Sequence, residues 1–371
     1  MKIELLQENF VKALTVVSRS VSSKTSLPVL SHILFSTTKD GFFLSATNLE
    51  TGAKYNVPSK VEEPGDLSVP ARVILEYVAM LPPEKMKIFS VENQLVVSSG
   101  GFEAKIDGMS SAEFPKLPVF PTQPLLSFTK SDFVRAMSLV SFSAASDEGR
   151  PVLTGIKTTI SGEGVVFAAT DGYRLSVLKQ KIEKKLDAEV SMIIPSKSMV
   201  EASRVLSEAG EKENLGFALT EEKNQAIFSA GNVELSTRLI EGAFPNFEKI
   251  IPSSFAVSSE IQTDGLLKAV RAASVFARDS ANIIKLRFLE KGGVVVSANT
   301  PQVGSNTASV DSKNEGKETE IAFNSRFLLE FLANVGSGGI EFSTEGELNP
   351  GVFKIAGEKN YLHIIMPVRV Q

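Results

Sequence analysis

Ala168-Ala169-Thr170-Asp171-Gly172-Tyr173-Arg174-Leu175 is the stretch that decides the architecture, because its opening recurs elsewhere. Ser45-Ala46-Thr47 lies before it and Ser297-Ala298-Asn299 after it. Thr47 to Thr170 is 123 residues and Thr170 to Asn299 is 129, each about a third of the 371-residue chain. A period that long is a whole domain and not one turn of a solenoid, so the chain reads as three copies of a single domain. Only the middle copy continues into Asp-Gly-Tyr-Arg-Leu. A position where one copy departs from its repeats is a candidate for function.

The copies agree outside this stretch. The first opens with a strand, Met1 to Leu6, and a helix in which Phe10, Ala13, Leu14 and Val17 recur at i, i+3, i+4, i+7. Phe133, Ala136, Met137 and Val140 repeat that stripe, and Leu266, Ala269, Val270 and Ala273 repeat it again. Lys12, Arg19, Arg135, Lys268 and Arg271 fall off the stripes, so each helix buries one face and turns a cation away from it. Leu27-Pro28-Val29-Leu30 and Arg150-Pro151-Val152-Leu153 then lead into strand pairs with Gly-containing turns, which are hairpin signals. The expected pairs are Ile33 to Phe35 with Phe42 to Ala46, Gly155 to Ile160 with Val165 to Ala169, and Ile284 to Leu289 with Val294 to Ala298.

A second helix follows in each copy, starting at Val69-Pro70-Ala71-Arg72, Ile194-Pro195-Ser196-Lys197 and Phe323-Asn324-Ser325-Arg326. All three place a cation in the first turn and a glutamate four residues on. A solvated i, i+4 ion pair is the plain explanation, although base-before-acid is the poorer order and a cation at this end opposes the helix dipole. A helix start with added positive charge is, alternatively, a phosphate-facing surface. More strands close each copy, Val96 to Ile106 and Glu234 to Ile240 among them. Pro-bearing linkers fall at Pro118 to Pro124 and Ile251 to Ser254. The plan is α+β on antiparallel sheet.

Composition narrows the class. At 43% hydrophobic and 22% charged residues the chain is an ordinary globular protein. It has no cysteine, which excludes disulfides and thiolate metal sites and fits a reducing compartment. The start lacks an apolar run of signal-peptide length, and the apolar patch Leu362 to Val368 is too short to span a bilayer. A cytoplasmic protein is expected. The net charge of −4 means that any nucleic-acid role must rest on where the cations are placed.

Catalytic signatures are missing. The two histidines, His32 and His363, stand far apart beside apolar strand residues and read as structural. Neither a P-loop nor a dinucleotide-binding glycine motif occurs, and zinc would need a Cys/His cluster. Asp171, Arg174 and His363 could be imagined as an interdomain active site, but no partner carboxylate recurs at a suitable spacing. Thr170-Asp171-Gly172 reads more simply as a turn ending a strand. The expectation is a binding protein without catalysis, metal or cofactor.

Together, Ala169-Thr170-Asp171-Gly172-Tyr173-Arg174-Leu175, Phe244-Pro245 and the terminal Met366-Pro367-Val368-Arg369-Val370 carry a resemblance. In this order and spacing, and over its full length, the chain resembles the bacterial sliding clamps, the β subunits of the replicative DNA polymerase. The resemblance implies three topologically similar α+β clamp domains, set at 1–121, 125–252 and 253–371. It implies a head-to-tail homodimeric ring with helices lining a central hole and antiparallel sheets outside. Duplex DNA would be encircled without base readout, through Lys12, Arg19, Arg72, Arg135, Lys197, Lys268, Arg271 and Arg326 on helices and Lys24 and Arg150 on loops.

The resemblance also implies a hydrophobic pocket for short linear peptides near the junction of the second and third domains. Its residues would be Leu153, Thr170, Gly172, Tyr173, Arg174, Leu175, Pro245, Lys249, Ile250, Ile364, Met366, Pro367, Val368 and Arg369. Arg174 and Arg369 would take main-chain or acidic groups of the peptide. The partners implied are the replicative polymerase's catalytic subunit, the clamp loader, and other polymerases and mismatch-repair proteins. The subunit interface, between first and third domains, would include Ser274-Val275-Phe276. A peptide-binding scaffold that never encircles DNA is the alternative.

Overall fold

The computed structural model describes residues 1–22, 26–182, 188–210, 213–301 and 304–369. Among them are six α-helices: α1 (Gln7–Ser18), α2 (Ala71–Met80), α3 (Lys130–Val140), α4 (Ser196–Glu208), α5 (Thr263–Ala277) and α6 (Ser325–Asn334). Strands make up most of the remainder, every ladder being antiparallel. No helix among the described residues is long and apolar enough to cross a membrane. The stripes read from the sequence are the buried faces: Phe10, Ala13, Leu14 and Val17 in α1, Phe133, Ala136, Met137 and Val140 in α3, and Leu266, Ala269, Val270 and Ala273 in α5. Burying each large apolar side chain contributes about 1.5–3 kcal/mol, which fixes these short helices on their sheets.

The chain forms two compact units, Met1–Val134 with Val200–Leu239, and Arg135–Met199 with Ile240–Gln371. Neither follows a single repeat, because sheets run from one copy into the next. In the first unit an eight-stranded sheet takes the order Leu126–Thr129, Asn214–Leu219, Gln225–Ala230, Val233–Arg238, Thr51–Val57, Gly41–Thr47, His32–Thr38, Asp66–Pro70. The seam between copies is Val233–Arg238 against Thr51–Val57, with Leu235 opposite Ala53. A five-stranded sheet of Ser59–Glu63, Lys2–Leu6, Lys85–Val91, Gln94–Ser99 and Phe102–Asp107 completes the unit.

The second unit repeats the arrangement. Its nine-stranded sheet runs Val190–Pro195, Gly155–Ser161, Gly164–Thr170, Arg174–Gln180, Tyr361–Ile365, Gly351–Ile355, Gly339–Thr344, Val257–Gln262, Ser312–Gly316. Here the seam is Arg174–Gln180 against Tyr361–Ile365, with Leu175 opposite Ile364. A four-stranded sheet holds Gly304–Val310, Val294–Thr300, Ile283–Phe288 and Thr319–Asn324. One rule therefore describes both seams: the third sheet strand of one copy pairs with the last strand of the next copy.

Three expected hairpins form, but the expected strand Val96 to Ile106 is two strands. Gly100 and Gly101, at φ +54° and +82°, turn the chain between Gln94–Ser99 and Phe102–Asp107. The Pro-containing stretches at 28–31 and 151–154 are short 3-10 turns that deliver the chain into its hairpins.

Candidate peptide site and basic helix faces

The decisive stretch builds a closed turn at the end of the strand Gly164–Thr170. Thr170 Oγ1 donates to the carbonyl of Arg174 at 2.5 Å and accepts the N–H of Gly172 at 3.0 Å. Asp171 Oδ1 accepts the N–H groups of Tyr173 (2.8 Å) and Arg174 (3.0 Å). Gly172 holds φ +94°, where a side chain would be strained.

The first copy makes the same turn with other residues. Thr47 Oγ1 donates to the carbonyl of Thr51 and accepts the N–H of Leu49, while Asn48 Oδ1 accepts from Glu50 and Thr51. Leu49 takes φ +74°. The turn is thus shared, and the middle copy differs in what the turn displays. Glu50 and Thr51 are replaced by Tyr173 and Arg174.

Arg174 is almost fully buried and its guanidinium is occupied. Nε donates to Asp171 Oδ2 at 3.0 Å and Nη1 to Glu330 Oε2 on α6. Its Cζ lies 4.6 Å over the Phe327 ring and 5.5 Å over Phe142. Tyr173, 61% exposed, stacks on the same Phe327, with ring centroids 6.5 Å apart. Arg174 is therefore a wedge between α6 and the sheet. Glu330 and Phe327 were not legible as site residues; the one signal was Glu330's fixed distance from Arg326.

The tail completes the surface. Its strand ends at Ile365, and the N–H of Met366 donates to the carbonyl of Tyr173 at 2.8 Å. The N–H of Val368 donates to Ala322. Beneath, Leu175 and Ile364 join Ala168, Val177, Phe247 and Val352 in a buried cluster flanked by Val166, Phe244, Ile251 and Leu362. Leu153 and Thr170 are buried too, so these two with Leu175 and Ile364 form the floor of the expected lining. Tyr173, Ile250 and Met366 are the exposed apolar groups above it, with Gly172, Pro245, Lys249 and Arg369 exposed and Pro367 and Val368 half-buried. At the first seam the equivalent turn is covered by a polar residue, since Arg238 donates Nε to Leu49 and its N–H to Glu50. Arg238 there stands where Met366 stands here, so a cation takes the place of an apolar side chain beside the first turn.

His363 is fully buried. Its Nδ1 lies 2.8 Å from Ser176 Oγ, which also bonds Ser143 at 2.8 Å, and its ring stacks on Phe331 at 4.8 Å. Burial first, and then the nearby Arg174, push its pKa well below the usual imidazole value. With Asp171 spent on the turn and Arg174 on its ion pairs, these three residues form no accessible active site.

Among the expected DNA contacts, Lys12, Arg72, Arg135, Arg150, Lys197, Lys268, Arg271 and Arg326 are exposed, and Arg19 is half-buried. Lys24 lies outside the described residues. The shared cation-to-glutamate spacing of the second helices is used three ways. Arg72 pairs with Glu76 at 2.8 Å, Glu201 is taken by Arg19 at 2.6 Å, and Glu330 by Arg174.

Three domain models describe this arrangement in chain order. The N-terminal, central and C-terminal domains of the DNA polymerase III beta subunit match residues 1–118, 127–246 and 248–369. The chain belongs to the DNA polymerase III beta subunit family.

Relatives agree along the whole length. A beta sliding clamp of Synechococcus elongatus is 28% identical over 376 residues, covering all of both chains. One from Staphylococcus aureus is 26% identical, covering all of this chain and 99% of the relative. The crystal structure of the DNA polymerase sliding clamp of Bacillus subtilis superposes with a TM-score of 0.95 at 25% identity and complete coverage of both chains. The three-copy α+β fold with antiparallel sheets is that of this beta subunit family.

Proposed function

We propose that two copies of this chain close head to tail around duplex DNA as a sliding clamp, and that the clamp has no catalytic activity of its own. The observation that carries the reading is the seam rule. In each unit the third sheet strand of one copy pairs with the last strand of the next copy, and two edge strands are left over by it. These are Gly304–Val310 and Phe102–Asp107. Long edges free of proline invite pairing with another chain, and a second molecule supplies the missing partner for each. Repeating the junction three times per chain closes a ring of six domains, with proposed boundaries at 1–121, 125–252 and 253–371.

Inside such a ring the cations of the six helices meet phosphates. The contact is sequence-independent and salt-sensitive, while retention is topological. The apolar surface around Tyr173, Ile250 and Met366 takes short peptides from the replicative polymerase, the clamp loader and repair proteins, with Met and Pro permitting several partners. This tethers the polymerase and acts in the cytoplasm, on the nucleoid during replication.

The deciding experiment loads the protein onto circular and linear duplexes and follows retention at raised salt. A clamp stays on circles and leaves linear ends. Equal loss from both leaves only the scaffold reading, in which the peptide surface works without DNA.

A further inference from the structure

The basic helix faces carry their own carboxylates. Arg135 on α3 donates Nη2 to both carboxylate oxygens of Glu358, at 2.5 and 2.7 Å. Glu358 stands in the turn between Gly351–Ile355 and Tyr361–Ile365, so it comes from the third copy while α3 belongs to the second. Arg19, just past the end of α1, is held similarly, by Glu201 at 2.6 Å with Glu208 4.0 Å away. Lys12, Lys268, Arg271 and Arg326 form no ion pair with the described residues. The cations thus fall into a free set and a set already engaged.

A carboxylate and a phosphate present similar oxygens to a guanidinium fork, so Glu358 and the DNA backbone compete for the same donors. The Arg135–Glu358 pair is half-exposed, at 48% and 34%, and an exposed pair is held weakly enough to open. Resting on the reading of the helix faces as DNA-facing, we propose that Glu358 is a built-in competitor of the phosphate backbone. It takes Arg135 back whenever a phosphate moves on, which weakens each contact and keeps the ring mobile. Each arginine freed from such a partner adds about one phosphate contact, and log K then falls more steeply with log salt by about 0.9.

The test is equilibrium binding of the full-length protein to a fluorescent duplex between about 50 and 200 mM salt. E358Q and E358A should bind several-fold more tightly at the low-salt end, with a slope steeper by about 0.9. The gain should vanish when either change is made in an R135Q background. Superimposable wild-type and Glu358-variant curves would overturn the proposal, leaving the pair a mere brace between copies. A gain that persists in R135Q also overturns it, since Glu358 would then act by general repulsion. The K268Q/R271Q variant separates the two levels: if it binds as wild type, the DNA reading itself fails. If it binds more weakly while Glu358 variants are silent, only the competitor fails.

Discussion

Asp171 and Arg174 hold each other twice over: Oδ1 of Asp171 accepts the backbone N–H of Arg174 at 3.0 Å, and Oδ2 accepts its Nε at 3.0 Å. The turn that displays Tyr173 is thereby locked to the side chain that wedges α6 against the sheet. Arg174→Ala would strand Asp171 and Glu330 and remove the group between the Phe327 and Phe142 rings. Opening a largely buried pair costs about 3–5 kcal/mol, and with Glu330 half-exposed we expect about 2–4 kcal/mol. Urea unfolding measures it, and Arg174→Lys should recover only part, because an ammonium cannot fork between two carboxylates. An R174A midpoint equal to wild type would refute the wedge.

Both histidines of the chain should make stability fall in mild acid. Burial lowers the pKa of His363 strongly and that of His32 to a lesser degree of burial, each opposed or aided only by its neighbours. A depressed histidine binds a proton in the unfolded chain before it does in the folded one. Its contribution is therefore complete above about pH 6.5 and lost as pH falls below that toward the folded value. The denaturation midpoint should drop between pH 7.5 and 5. His363→Gln should flatten the drop even though it lowers stability at neutral pH. An unchanged pH profile in that variant would show that His363 is not its source.

The repeat and the α+β plan were legible because apolar periodicity reports burial directly, and Phe10, Phe133 and Leu266 mark one position in three copies. The turn at Thr170 was legible for the same reason of local chemistry. What sequence distance hides is cross-copy pairing. Glu330, 156 residues from Arg174, and Glu358, 223 residues from Arg135, leave no local trace of their partners. The seams are equally silent, since Leu175 opposite Ile364 follows from sheet register and not from either strand alone. Exposure also divides the expected pocket into floor and rim in a way that residue type does not.

That division separates two kinds of variant. Leu175 and Ile364 are buried in the cluster with Phe247, so truncation to alanine should cost about 2–5 kcal/mol of stability. Tyr173→Ala and Met366→Ala touch exposed groups and should leave the melting temperature within a few degrees. Titrating each with a short peptide bearing two apolar anchors should show about tenfold weaker binding for the rim variants. If Tyr173→Ala and Met366→Ala both bind the peptide as wild type does, this surface is not the peptide site.

The copy-to-copy contact can be broken at one side chain. Val275 lies nine residues after Leu266 on α5, as Arg19, just past the end of α1, lies nine after Phe10. Arg19 reaches α4 of the next copy through Glu201, so Val275 should reach α2 of a second molecule, where Val73 and Met80 are exposed and apolar. Val275→Asp places a carboxylate in that contact, and an unpaired charge taken out of water costs several kcal/mol. In the isolated chain Val275 is half-exposed, so the fold tolerates the change. Sedimentation should show wild-type dimers and V275D monomers with an unaltered circular dichroism spectrum, and the variant should leave circular DNA as fast as linear. A V275D protein that sediments as a dimer and stays on circles would move the interface away from α5 and undo the seam rule as the principle of closure.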